Sequence, residues 1–244
     1  MRKFIIGAAA LLAVTAAPGI ASAATGYVGA VYANTDVDHS SGSNDAWGAQ
    51  GAVAFGGSSD IGFEVDAALV DSDAADTVSR LAGHVFKRND SHLLGAFVAA
   101  DHADGATVWS GGVEGNLYFQ NWTLAAAVGY ADANDADASA WAANVAARFF
   151  ASDNLRLDAH VAYANIDYDF GGDDTATVLG VGAEYQFSAA PISVAASYDH
   201  DDFDNSNSAN VWSLAVRYNF GGTLRERDRS GASQADLIGI AGLL

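Results

Sequence analysis

From about Gly26 to Phe220 the chain sorts its residues by parity. Trp212, Leu214, Val216, Tyr218 and Phe220 occupy even positions, and Ser213, Ala215, Arg217 and Asn219 fall between them. Leu179, Val181, Ala183, Tyr185 and Phe187 alternate in the same way with Gly180, Gly182, Glu184 and Gln186. The pattern recurs at Trp122, Leu124, Ala126, Val128 and Tyr130, and at Ile61, Phe63, Val65, Ala67 and Leu69. Only an extended strand, with a side-chain period of two, separates the sets so cleanly. A Phe closes every second strand, at Phe55, Phe86, Phe119, Phe150, Phe187 and Phe220, recurring roughly every 33 residues as an internal repeat. Short turn chemistry follows most of them, as in Lys87-Arg88-Asn89-Asp90 and Ala151-Ser152-Asp153-Asn154. The opposite strand ends carry longer, Asp-rich connections: Asn34 to Asp45, Asp132 to Ser139, Asp167 to Asp174 and Asp199 to Asn210. The count predicts six hairpins, hence about twelve antiparallel strands.

Alternating strands of ~10 residues, short turns at one end and longer loops at the other are the signature of a transmembrane β-barrel. Trp47, Trp109, Trp122, Trp141 and Trp212 lie near strand ends. With the six Phe residues they are expected to form two interfacial aromatic girdles. A secreted β-sandwich or soluble barrel also alternates, but its outward set should be charged; here the polar set is mostly Gly, Ala, Ser and Thr.

The amino terminus changes the compartment. Arg2 and Lys3 precede the apolar run Phe4 to Val14, and Ala21-Ser22-Ala23 provides a small-x-small cleavage pattern. Residues 1–23 are therefore expected to be a cleaved signal peptide, residues 24–220 the barrel and residues 221–244 a periplasmic tail. The 244-residue chain has no Cys, which excludes disulfide scaffolds, thiol redox chemistry and Cys-ligated zinc. Its net charge of −19, with 11 basic residues against 30 acidic, argues against nucleic-acid binding.

The signal segment, the Phe-ended hairpins and the closing strand Leu214-Ala215-Val216-Arg217-Tyr218-Asn219-Phe220 resemble the small porin-like outer-membrane β-barrels of Gram-negative bacteria. The resemblance covers the mature chain to Phe220. It implies residence in the outer membrane among lipid and lipopolysaccharide. It also implies that Tyr218 and Phe220 act as the signal read by the barrel-assembly machinery. The chain departs from the family's usual pattern in continuing past that last aromatic.

With the apolar set against lipid, the lumen receives Glu64, Asp66, Arg80, Glu114, Arg148, Arg156, Asp158, Glu184 and Arg217 as pore-lining charges, together with Gln50, His84, Asn116, Asn144 and His160. Most lie near the short-turn end, which points equally to a charged constriction or to a bracing ion-pair network. The small inward residues Thr123, Ala125, Ala127, Gly129, Gly180 and Gly182 cannot fill a twelve-stranded bore, so water should occupy part of it unless something plugs it. Of 26 Asp residues, most fall in the six long connections, which hold no Lys or Arg. Asp199, Asp201, Asp202 and Asp204 are the expected acidic rim, concentrating cations at the mouth. Asp199-His200-Asp201-Asp202-Phe203-Asp204 and Asp101-His102-Ala103-Asp104-Gly105 are candidate divalent-cation motifs, yet neither has the spacing of a calcium loop. No metal site or cofactor is expected.

No G-x-S-x-G or H-E-x-x-H motif is present. Ser110 and Asp158 are the conceivable partners of His84 and His160 for catalysis, but an enzyme is not expected. In the tail, Arg225, Arg227 and Arg229 alternate in a polar stretch assigned to the periplasm, and Ser233 with Asp236 makes a weak capping pattern. The tail is left free to lie on the membrane, enter the lumen or stay unfolded. The resulting expectation is a passive, narrow, cation-preferring channel for small hydrophilic solutes or ions. The rival is a structural or adhesive barrel with a closed lumen, and a lipid-modifying barrel enzyme is a distant third.

Overall fold

A computed structural model describes residues 24–38, 43–56, 61–72, 77–103, 105–133, 138–169, 171–204 and 208–235. The signal segment 1–23 and Asp236 of the weak capping pattern lie outside the described residues. Twelve strands follow one another: β1 (Thr25–Val37), β2 (Ser43–Phe55), β3 (Ile61–Ser72), β4 (Val78–Arg88), β5 (His92–Ala103), β6 (Ala106–Tyr118), β7 (Trp122–Ala133), β8 (Ala138–Ser152), β9 (Leu155–Tyr168), β10 (Asp173–Gln186), β11 (Ile192–Phe203) and β12 (Ala209–Phe220). Each pairs antiparallel with its neighbours in sequence, and β12 returns to β1 to close the barrel. Closure leaves no unpaired edge, the condition for a sheet to sit in hydrocarbon. No helix among the described residues is long and apolar enough to cross a membrane.

Parity decides facing. Val181, Val145 and Val128 are 57%, 51% and 46% exposed on the outer surface, where lipid would cover them. Their neighbours of opposite parity turn inward, and Glu64, Thr123, Asn116 and Arg148 are fully buried. Trp47, Trp109, Trp141 and Trp212 ring the loop end on the outside, while Trp122, Phe119, Phe187 and Tyr218 do so at the short-turn end. Rings pair across strands in both belts: Tyr32 with Trp47 and Tyr198 with Trp212 at 4.5 Å between centroids, and Trp122 with Phe149 at 4.7 Å.

Two of the six repeat Phe residues leave the girdle. Phe86 and Phe150 are 4% and 1% exposed and point inward. They share the parity of His84 and Arg148 on their own strands, so the pleat that buries those charges buries the rings as well. The strands also run into the Asp-rich connections. β11 continues to Phe203 and β9 to Tyr168, so Asp167, Asp199, Asp201 and Asp202 are strand residues.

After Phe220 the chain turns back on itself. Gly221 and Gly222 adopt φ of +93° and +124°, a region that side chains with a Cβ rarely occupy. They deliver the chain to a short helix, α1 (Leu224–Ser230), opened by a complete capping box. The Thr223 hydroxyl accepts from the Glu226 backbone N–H, and the Glu226 carboxylate accepts from the Thr223 N–H at 2.8 Å. Such a cap stabilises a helix by about 1 kcal/mol.

Candidate functional site: the barrel lumen and its C-terminal plug

Two charged networks line the inner wall, one running from mid-barrel toward the loops and one near the short-turn end. The first lies on β3 to β6. His84 of β4 stands with Nε2 2.8 Å from the Asp66 carboxylate and Nδ1 3.0 Å from Glu114. Arg80, four residues back on the same face, donates to Asp101 at 3.2 Å and lies 3.7 Å from Asp66. Every partner in this set comes from the wall.

The second network lies on β8 to β12 and is completed from the tail. The Glu184 carboxylate of β10 receives Arg217 at 3.0 Å, Arg156 at 3.5 Å and Arg227 of α1 at 3.0 Å. Its other oxygen accepts from the Ser193 hydroxyl at 2.6 Å. Arg156 also donates to Asp158 at 2.7 Å, and Arg227 donates to the Asn219 side chain. The guanidinium groups of Arg217 and Arg227 both lie over the Tyr27 ring, at 4.4 and 4.9 Å from its centroid. Arg148 of β8 takes a tail residue as its carboxylate: Asp228 at 2.8 Å, which also accepts from Thr123 at 2.6 Å.

The tail continues inward past α1. Arg88 donates to the Gly231 carbonyl at 2.9 Å, and Arg148 donates to the Ser233 carbonyl at 3.1 Å. The Glu64 carboxylate accepts three successive backbone N–H groups, from Ser233, Gln234 and Ala235, at 3.0, 3.0 and 2.9 Å. Asn116 donates to the Gln234 side chain at 2.8 Å. Ala232 packs with Tyr27, Ala52 and Ala54. The segment thus engages β1 and β2, β3 and β4, β6 to β8, and β10 and β12, on all sides of the mouth. Residues 223–235 turn back into the barrel mouth, one of the placements the sequence leaves open: Arg227, Asp228, Ser233 and Gln234 are all buried. Arg225 and Arg229 stay nearer the rim, on Asp153 at 2.6 Å and on the Phe119 carbonyl at 2.6 Å.

On β7 to β10 the inner wall is mostly small and apolar. Ala125, Ala127, Ala142, Ala146, Ala162, Ala164 and Ala176 cluster with Val178 and Phe97, and Phe203 packs against them. On the opposite wall a cavity of about 160 Å³ is bordered by Gln50, Arg156, Asp158, Ser197, Ser213 and Arg217. Above it, His160 reaches across Gly180 to Asp199 at 3.1 Å. A Cβ on Gly180 would come within 2.1 Å of both partners, so this glycine supplies the gap they meet in.

The nine charges expected to line the pore all lie on the inner face. The rim residues divide. Asp199 and Asp201 point into the lumen, Asp202 lies exposed on the other face of β11, and Asp204 follows in the turn. The same divergence separates neighbours within both candidate cation motifs, and Asp104 of the second lies outside the described residues. Consecutive residues of a strand face opposite sides, so Asp101 and His102, or Asp201 and Asp202, cannot converge on one ion. Among the described residues no group of three metal-ligating side chains assembles. The Ser110 hydroxyl makes no hydrogen bond, while both ring nitrogens of His84 are taken by carboxylates. Tyr218 is exposed on the outer face of β12, and Phe220 ends that strand. The residues that sequence reasoning missed are Asp101, Arg88, Arg227, Asp228, Ser233 and Gln234. No sequence signal marks Asp228 as the partner of Arg148, because Arg148 lies directly across the β8–β9 ladder from Asp158, which the structure pairs with Arg156 instead.

A profile of the Gram-negative porin family matches residues 76–225. The chain belongs to that family. The porin is thus an outer-membrane channel-type barrel, and its solved structural counterparts agree in fold. The COG4313 outer-membrane channel from Pseudomonas putida F1 superposes with a TM-score of 0.61 at 13% identity, covering 81% of this chain and 95% of that one. The KdgM porin in complex with disordered oligogalacturonate gives 0.56 at 8% identity, covering 79% and 99%. The translocator domain of the autotransporter NalP from Neisseria meningitidis gives 0.54 at 11% identity, covering 88% and 94%. No curated protein matches the porin's sequence.

Proposed function

We propose that this porin conducts small hydrophilic solutes or ions by passive diffusion, with a preference for cations, and performs no catalysis. The observation that carries the reading is the polar cavity beside Arg156, Asp158 and Arg217, facing a β7 to β10 wall whose inner positions are mostly alanine. A lumen intended only as a brace would be filled by its own side chains. Cation preference is supported by the acids Asp199, Asp201, Asp202 and Asp204 around the loop end, with no Lys or Arg on the neighbouring β11–β12 connection. Such a field draws cations in and is screened by salt. Under a salt gradient across a planar bilayer the reversal potential should show cation preference, shrinking as ionic strength rises. Converting Asp199, Asp201, Asp202 and Asp204 to Asn should weaken it without abolishing conductance; anion selectivity would show that Arg156 and Arg217 govern instead.

A second reading, a structural or adhesive barrel with a closed lumen, is favoured by one observation: the tail blocks the short-turn mouth. A correctly folded barrel that passes no current with its tail removed would establish that reading. In either case Tyr218 and Phe220, on the last strand at the short-turn end, remain the proposed signal for the barrel-assembly machinery.

A further inference from the structure

The docked tail is held in an unusual way. Apart from Leu224 and the small contacts of Ala232 and Ala235, its attachments are hydrogen bonds and ion pairs to the wall, with Arg227 and Arg229 also stacked over Tyr27 and Tyr118. Glu64, Arg88, Asn116, Thr123, Arg148 and Glu184 form a cradle that recognises a peptide by its backbone as well as by its charges. Glu64 reads three consecutive N–H groups, and Arg88 and Arg148 read the Gly231 and Ser233 carbonyls. An apolar core loses its stabilisation when opened to water, whereas these wall charges can be hydrated by a water-filled lumen once the peptide leaves. The closed strands need nothing from the tail, because their ladder runs unbroken from β1 through β12. The hinge is also present, as the Gly221–Gly222 pair between β12 and α1.

We infer that residues 224–235 are a tethered gate: they occupy the cradle at the short-turn mouth, and their departure about Gly221–Gly222 opens the pore. The inference rests on the channel reading. The tether keeps the released segment at a high effective concentration, so the gate recloses without a partner molecule. Opening exchanges the contacts of Arg227 and Asp228 with Glu184 and Arg148 for hydration on both sides.

The test uses the full chain, which has no native Cys to interfere. Asn116→Cys combined with Gln234→Cys places two thiols where the two side chains now touch, to be bridged by a short cleavable dithiol-reactive linker. Single-channel conductance should fall several-fold on bridging and return on cleavage of the linker in the same molecule. Glu64→Gln replaces one carboxylate oxygen by an NH2 that faces the Ser233 N–H or, flipped, those of Gln234 and Ala235; it should raise conductance and expose Arg227 to trypsin, while the heat-modifiable gel shift of a folded barrel is kept. Conductance unchanged by bridging, or equal in wild type and in tail-cleaved Glu64→Gln, would overturn the gate and leave the channel standing. A folded, tail-cleaved barrel that passes no current would overturn the channel reading itself, and the gate with it.

Discussion

The two charged networks of the lumen are built on the same kind of strand and both face inward, yet they differ in where their partners come from. On β3 to β6 the acids Asp66, Asp101 and Glu114 meet the bases Arg80 and His84, and the set is complete within the wall. On β8 to β12 the wall supplies Arg148, Arg156 and Arg217 with Asp158 and Glu184, and two tail residues finish the pairing. The first network joins neighbouring strands and is as permanent as the barrel. The second holds a peptide that the barrel can release. A buried charge whose cross-strand neighbour is taken by another base, as Asp158 opposite Arg148 is taken by Arg156, therefore marks a docking position for another part of the chain.

The largest expected effect would break the first network. His84→Ala leaves the Asp66 and Glu114 carboxylates buried without their shared partner, at a cost of about 3–5 kcal/mol. Urea unfolding in lipid vesicles would measure it; a cost below that of a surface substitution would mean the β3–β6 set is hydrated rather than sealed. The next contrast sets the outer face of β10 against the cavity beside the second network. Val181→Arg puts a charge into lipid and should cost about 2–4 kcal/mol. Ala195→Arg borders the cavity and should cost well under half of that in the same folding assay. Gly180 is unsuitable as the inward control, because His160 and Asp199 already occupy the space its side chain would take.

Removing the tail's part of the second network should act locally. Asp228→Ala leaves Arg148 and Thr123 without that carboxylate, a penalty of about 1–3 kcal/mol that is relieved when the tail undocks and water reaches the wall. Trypsin should then cut at Arg227 while the barrel's unfolding midpoint stays near wild type; a midpoint shift as large as that of His84→Ala would show that the two networks are equally structural. The smallest effect belongs to the helix cap. Thr223→Ala removes half of the capping box and should cost about 1 kcal/mol, seen as faster proteolysis of the tail alone.

Strand number, antiparallel order and facing were legible in the sequence, because a period of two leaves no freedom once one face must meet lipid. Val128, Val145 and Val181 outside and the nine charges inside follow from parity alone. Parity read strictly would also have placed Phe86 and Phe150 with His84 and Arg148, had the repeat of Phe not suggested a girdle. Strand ends were less legible: Asp167 and Asp199 are written in turn-forming residues, but the ladder holds them extended past where the alternation fades. The tail was beyond reach. Its capping box is local and readable, but the pairing of Asp228 with Arg148 or of Ser233 with Glu64 joins residues 80 and 169 positions apart in sequence. No periodicity encodes such contacts. They exist because closure of the barrel brings β3, β8 and β10 around one mouth, where charges that cannot all pair across adjacent strands are satisfied by the chain's own end.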